Sequence, residues 1–184
     1  MWMIETKRLI LRDWEERDRA PFAALNADPE VMATLGPLMS RSESDALVDE
    51  LIRRRGVDGF TFTVAERKDD GVFLGFVGLT RANAGQSFDG MPEIGWRLNR
   101  ASWGNGYATE AAEGWLDWVW RNLEDPAVVA ITSTGNVRSR AVMERIGMTR
   151  DPALDFNHPR VPDGSALKAH VTYRIERPEN MTGS

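Results

Sequence analysis

The chain has no cysteine in 184 residues, which excludes a disulfide framework, a thiolate metal site and a cysteine nucleophile. A reducing compartment fits that absence. Histidine is nearly missing too: His158 and His170 both lie in the C-terminal segment without carboxylates at ligand spacing, so no metal site is expected. No stretch approaches the roughly 18 unbroken apolar residues of a membrane helix. The N-terminus, Met1-Trp2-Met3-Ile4-Glu5-Thr6-Lys7-Arg8, is charged almost at once, and the expectation is a soluble, unexported, cytoplasmic protein with no membrane partner. Positive charge is in deficit: 23 Lys and Arg against 28 Asp and Glu leave a formal charge of -5, which argues against a general nucleic-acid surface. Repeats, low-complexity tracts and linkers are also lacking. At this length and 42% hydrophobic content, one domain over 1–184 is expected, with a flexible tail from about residue 178.

What is present has two characters. Lys7 to Trp14 alternates as a strand, and Glu15 to Ala27 carries an irregular helical pattern ending at Asp28-Pro29. Ser42 to Arg55 predicts a second helix, capped by Ser42, with Ala46, Leu47, Leu51 and Ile52 on one face and Gly56 as its stop. Gly59 to Lys68 and Val72 to Asn83 predict a hairpin about Asp69-Asp70-Gly71, and Glu93 to Leu98 a further strand. The order then becomes β-α-β-α: a helix over Tyr107 to Leu123, a strand over Val128 to Thr134, and a helix over Val137 to Ile146 closed by Gly147. Lys168 to Glu176 supplies the last strand. Hairpins first and a crossover afterwards imply an α/β (α+β) fold, a mixed twisted sheet with helices on both faces.

Gly104 and Gly106 fall between the strand ending near Asn99 and the helix starting near Gly106. Such a turn offers unpaired N–H groups to an anion, and glycines let an anion approach closely. A plain strand-to-helix turn would look the same. Neither a P-loop nor a dinucleotide fingerprint fits, since no Gly-Lys-Ser/Thr follows and no third glycine stands at the required spacing.

Three ordered segments carry a family resemblance: Glu93-Ile94-Gly95-Trp96-Arg97-Leu98; Trp103-Gly104-Asn105-Gly106-Tyr107-Ala108-Thr109-Glu110-Ala111; and Asn136 through Met148 (NVRSRAVMERIGM). Together they resemble the GCN5-related N-acetyltransferases. The opening Glu5 to Arg12, together with Asp155 to Pro159 and His170 to Arg174, is similar to the branch of ribosomal-protein N-terminal acetyltransferases. The resemblance implies a mostly antiparallel sheet of six to seven strands, with strands 4 and 5 parallel and splayed. It implies acetyl-CoA as co-substrate, held by Trp103, Gly104, Asn105, Gly106, Tyr107, Ala108 and Thr109, with Leu98, Asn136 and Ser139 along its arm. It implies Glu93 as general base, a backbone N–H near Leu98 or Asn99 that polarises the thioester at a bulge, and Ser139 as proton donor. It is also compatible with a homodimer.

Two departures stand out. Trp103 occupies the place of an Arg or Gln, so the turn is expected to bind phosphate through backbone amides. Met143 occupies the place of a tyrosine acid, which favours the alternative of a non-catalytic acyl-CoA-binding module. Asn136 reads equally as an N-cap. Trp115, Trp118 and Trp120 crowd one helix, and an exposed one would mark a partner surface. The acceptor, a protein N-terminus or a small amine such as an amino acid, polyamine or antibiotic, is left to the loops Leu35 to Arg41, Ala84 to Pro92 and Pro152 to Ser165.

Overall fold

The computed structural model describes residues 2–179, so most of the anticipated tail lies outside the described residues. In chain order the elements are β1 (Met3–Glu5), β2 (Leu9–Arg12), α1 (Arg19–Asn26), α2 (Pro29–Met32), α3 (Arg41–Asp58), β3 (Phe62–Arg67), β4 (Phe73–Arg81), β5 (Pro92–Leu98), α4 (Tyr107–Asn122), β6 (Ala127–Ser133), α5 (Val137–Arg145), β7 (Thr149–Arg150), β8 (Phe156–Asn157) and β9 (Ala169–Glu176). They form one nine-stranded sheet in the order β1-β2-β3-β4-β5-β6-β9-β7, with β8 also on β9. The count exceeds six to seven because β1, β7 and β8 are two or three residues long, too short for any periodicity.

Every pairing is antiparallel except β5 with β6, the two strands expected to be parallel. They pair at Glu93↔Val129 and then separate, while β6 continues through seven register positions with β9. Neighbouring residues on the central strands face opposite layers, as the two-residue period requires. Ala65 and Val77 pack in the layer under α4, whereas Val64 and Phe76 pack with Trp14, Phe22 and Val48 beneath α1 and α3. Helices therefore cover both faces.

Several boundaries move. The first turn of the second helix is capped by Ser40, not Ser42: Ser40 Oγ accepts from the Glu43 N–H and the Glu43 carboxylate takes the Ser40 N–H, a reciprocal box. The helix runs through Gly56 and stops at Gly59, whose φ of 77° suits glycine. Its buried face is Ser44, Val48 and Leu51; Ala46 and Ile52 are exposed. Asp28-Pro29 does end α1, but the Asp28 carboxylate then caps α2 through the Glu30 N–H at 2.8 Å. None of the three tryptophans of α4 is exposed, because Trp2 stacks on Trp115 at 4.9 Å and, with Phe60, covers Trp118. α4 therefore presents no exposed tryptophan to a partner.

One ion cluster pins β2 to the sheet and to the turn before α1. Arg12, only 4% exposed, donates to both Asp18 carboxylate oxygens at 2.8 Å and to Glu66 at 2.7 Å. Asp18 also accepts the Glu15 N–H. Removing one partner of a buried pair strands the other charge, so Asp18→Ala is expected to cost about 3 kcal/mol in urea unfolding. A loss near that of an exposed pair, such as removal of Glu176 from Arg174, would show that the cluster is not buried in solution.

Candidate active site

Because β5 and β6 part after Glu93, the sheet opens into a groove of about 1200 Å³. Its walls come from the end of β5 (Trp96, Leu98), the turn Ser102 to Thr109 and the start of α5 (Gly135 to Ser139). Trp103, Gly104, Asn105, Gly106, Tyr107, Ala108, Thr109, Leu98, Asn136 and Ser139 all line it, so the residues expected along a cofactor are brought together. Gly104 and Gly106 have φ of 76° and 77°, the left-handed region that glycine enters without strain. Gly106 caps α4, and the helix's first backbone bond is Glu110 N–H to Gly106 C=O, which leaves the preceding N–H groups without intrahelical acceptors. Asn105 turns inward, its amide donating to the Ser102 and Trp103 carbonyls and holding the turn's shape.

The ladder decides which N–H at the end of β5 is free. The Asn99 N–H is given to the Leu74 carbonyl at 2.8 Å, so Asn99 is excluded. Antiparallel alternation then points the Leu98 N–H away from β4, toward the opening. Pairing of β4 with β5 runs unbroken from Gly75↔Leu98 to Arg81↔Pro92. The expected bulge is therefore replaced by divergence of β6.

Trp103 is a strut: its Nε1 donates to the Leu98 carbonyl at 3.0 Å and ties the turn to β5. The guanidinium of Arg138 lies 4.2 Å over its ring. Arg8 reaches the other side of the turn, over the Tyr107 ring at 4.6 Å, with Nη2 3.5 Å from where a Cβ on Gly106 would stand. Glu110 fixes Arg8 through a 2.6 Å ion pair and also accepts from Thr6. Cations thus flank the turn where backbone alone was expected. Sequence spacing hid them, since Arg8 arrives from a segment about a hundred residues earlier.

Asn136 is committed as an N-cap, its Oδ1 accepting the Ser139 N–H and its amide donating to Thr132 Oγ1. Its amide keeps a second N–H beyond the one given to Thr132, and the residue lines the groove. Ser139 is half-buried in the groove wall. Met143 is 2% exposed within the core and does not line the groove.

Glu93 lies outside the groove, in an adjoining cavity of about 360 Å³ between α3 and β3–β5. The two cavities share Leu35, Trp96 and Arg97. Of the three loops expected to shape an acceptor site, only Leu35 lines this cavity; the walls are Leu47, Leu51, Phe62 and Phe76, with Thr80 and the Glu50–Arg54 pair beside them. Burial pushes the Glu93 carboxyl up to about 7, against a partial pull from Arg160. The His158 and His170 rings lie tilted against each other with centroids 4.8 Å apart, and among the described residues no group of three metal-ligating side chains converges. No helix among them is long and apolar enough to cross a membrane.

Residues 8–149 match the family model described as acetyltransferase (GNAT) domain. The chain is 35% identical to the uncharacterized protein YkkB of Bacillus subtilis (strain 168), over 78% of this chain and 83% of that one. It is 30% identical to the FsC-acetyl coenzyme A-N(2)-transacetylase of Aspergillus fumigatus, over 96% of this chain and 77% of that one. The crystal structure of an acetyltransferase from Agrobacterium tumefaciens str. C58 superposes with a TM-score of 0.77 at 25% identity, covering 96% and 95% of the two chains. The chain belongs to the GNAT acetyltransferase family, enzymes that use acetyl-CoA as co-substrate for acyl transfer.

The Glu93 shift carries a stability consequence. The unfolded chain releases this proton near 4.5 and the folded one near 7, so the stability it supports is whole below about 4.5 and lost as pH rises through 7. Glu93→Gln does not titrate. Its stability relative to wild type should rise by about 1–3 kcal/mol between pH 4.5 and 8 in urea unfolding; a constant difference across that range would mean that the carboxyl is solvated.

Proposed function

We propose that the protein transfers the acetyl group of acetyl-CoA to a primary amine by direct attack in a ternary complex. The observation that carries this reading is the junction at Trp96 and Arg97, where a groove with a phosphate-type turn meets a small cavity holding a carboxyl poised near 7. The backbone N–H groups of Gly104 to Thr109, with Arg8 and Arg138 beside them, hold the pyrophosphate. Acetyl-CoA supplies an activated acyl group. The Leu98 N–H, free on the opening side of β5, stabilises negative charge on the thioester oxygen. Glu93 receives the proton that the amine gives up, through water across the junction, and its raised pKa matches a base working near neutrality. Ser139, in the groove wall, donates toward the departing thiolate.

The alternative, a non-catalytic acyl-CoA-binding module, draws on the core position of Met143. A CoA thiolate is a good leaving group without a tyrosine, so that position leaves catalysis intact. Thiol release with a broad amine panel separates the two: binding of acetyl-CoA with no amine-dependent release would support the module.

Two variants test the parts. Gly106→Val forces a β-branched residue to positive φ and closes the approach to the turn, so CoA affinity should fall about tenfold or more in calorimetry while the far-UV spectrum is retained. Unchanged affinity would move the phosphate site elsewhere. Wild-type kcat/KM should rise with pH to an inflection near 7. In Glu93→Gln that inflection should vanish, with the largest deficit between about pH 7 and 8, narrowing as the amine loses its own proton near 10. An inflection retained in the variant would remove Glu93 as the base.

A further inference from the structure

Arg97 is a half-buried cation that meets no anion among the described residues. Arg12, more deeply enclosed, is met by Asp18 and Glu66. Arg97 donates Nη1 to Asn26 Oδ1 at 2.6 Å, touches Met39 Sδ at 3.9 Å, and lies 5.3 Å over the Phe76 ring. Its Nε is buried with no acceptor, and no carboxylate among the described residues pairs with it. Burial alone draws the guanidinium down to about 10, with no acidic neighbour pushing back. Nη2 has no partner and, unlike Nε, is not shut away from the cavity, so that edge of the guanidinium can meet an anion.

Its position says which anion. Glu93, Gly95 and Arg97 alternate onto the α3 face of β5, with Cα atoms of the outer two about 13 Å apart at strand rise. Gly95 leaves the floor between them bare, and a Cβ there would come within 3.1 Å of the Phe62 ring. Arg97 lines both cavities, next to Leu98. The phosphates of the donor belong at the α4 turn, and the arm that reaches Leu98 is uncharged, so the anion for Arg97 comes from the acceptor. Glu50 and Arg54, which also line the cavity, are paired with each other at 2.7 Å, so a polyamine nitrogen at the Arg97 end would meet like charge. A cavity of about 360 Å³, apolar where Leu47, Leu51, Phe62 and Phe76 line it and polar at Glu50, Arg54 and Thr80, has room for one apolar side chain rather than a polypeptide segment.

We propose that Arg97 binds the acceptor's carboxylate, and that the acceptor is a small α-amino acid, free or as a close analogue, with an apolar side chain. This rests on the reading of the Glu93 cavity as the acceptor site. The carboxylate on Arg97 places an amine only two bonds away beside Leu98, and the side chain fills the space over Gly95. Long ω-amines and protein N-termini lack a carboxylate at that distance.

The test uses the full chain loaded with CoA, titrated calorimetrically with apolar L-amino acids, with their amides and with the corresponding decarboxylated amines. Acids should bind about ten- to a hundredfold more tightly than their amides, the range of a hydrogen-bonded charge. Arg97→Gln should bring the pairs to near equality, Arg97→Lys should restore part of the gap, and acetyl-CoA affinity should hold in both. The same order is expected in kcat/KM from thiol release. Amides or amines bound as well as acids, no acid bound at all, or acetyl-CoA weakened as much as the acid in Arg97→Gln would each overturn the proposal. Acids that bind through Arg97 but never accept an acetyl group would leave the carboxylate site standing and remove the transferase reading instead.

Discussion

β5 and β6 pair at Glu93↔Val129 and then part, and most of what makes this molecule chemically interesting is a consequence of that parting. A parallel pair zipped to its end would consume the Leu98 N–H and leave no room for a ligand between the strands. Two devices keep the strands apart without loss of order. β6 is fully paired on its other edge with β9, and the far end of β5 is tied to the turn before α4 by Trp103. The opening is therefore a fixed feature of the sheet. The N-terminus of α4 and the start of α5 line it because each follows one of the separating strands.

Charge is distributed around that opening in a way that separates two tasks. Arg8 and Arg138 sit by the glycine turn, one braced by Glu110 and the other by the Trp103 ring. Glu93 and Arg97 sit on the other side of β5, four residues apart, each drawn by burial toward its neutral form. Both pay for their positions in stability, and the Arg12–Asp18–Glu66 cluster shows what this fold does with a buried charge that has only a structural task. Arg97 suits the carboxylate of one small ligand, and Glu93, farther along the same strand, reaches that ligand's amine through water.

Much of this was legible in the sequence, for identifiable reasons. Long elements with a strong period, such as β4, β5 and α4, announce themselves, and the glycines of the turn mark the only backbone that could reach a bound anion there. Strands of two or three residues have no period to read. The helix is capped two residues before Ser42, at Ser40, because Glu43 stands at the third position after Ser40 and closes the reciprocal box there. The groove residues were found because they form contiguous runs. Arg8 and Arg97 were not, because their meaning comes from what lies opposite them. For Arg97 the telling fact is a missing carboxylate, which no spacing in the sequence can display.

The central claim is that donor and acceptor occupy adjoining cavities together and react directly. Initial rates with acetyl-CoA and an accepted amine both varied test it most directly. Reciprocal plots that intersect, with no acetyl group retained on the protein by mass spectrometry after acetyl-CoA alone, are the predicted result. Parallel plots with a stable acetylated protein would contradict it, since they would place a covalent step in a site with no cysteine and with both cavities filled in turn.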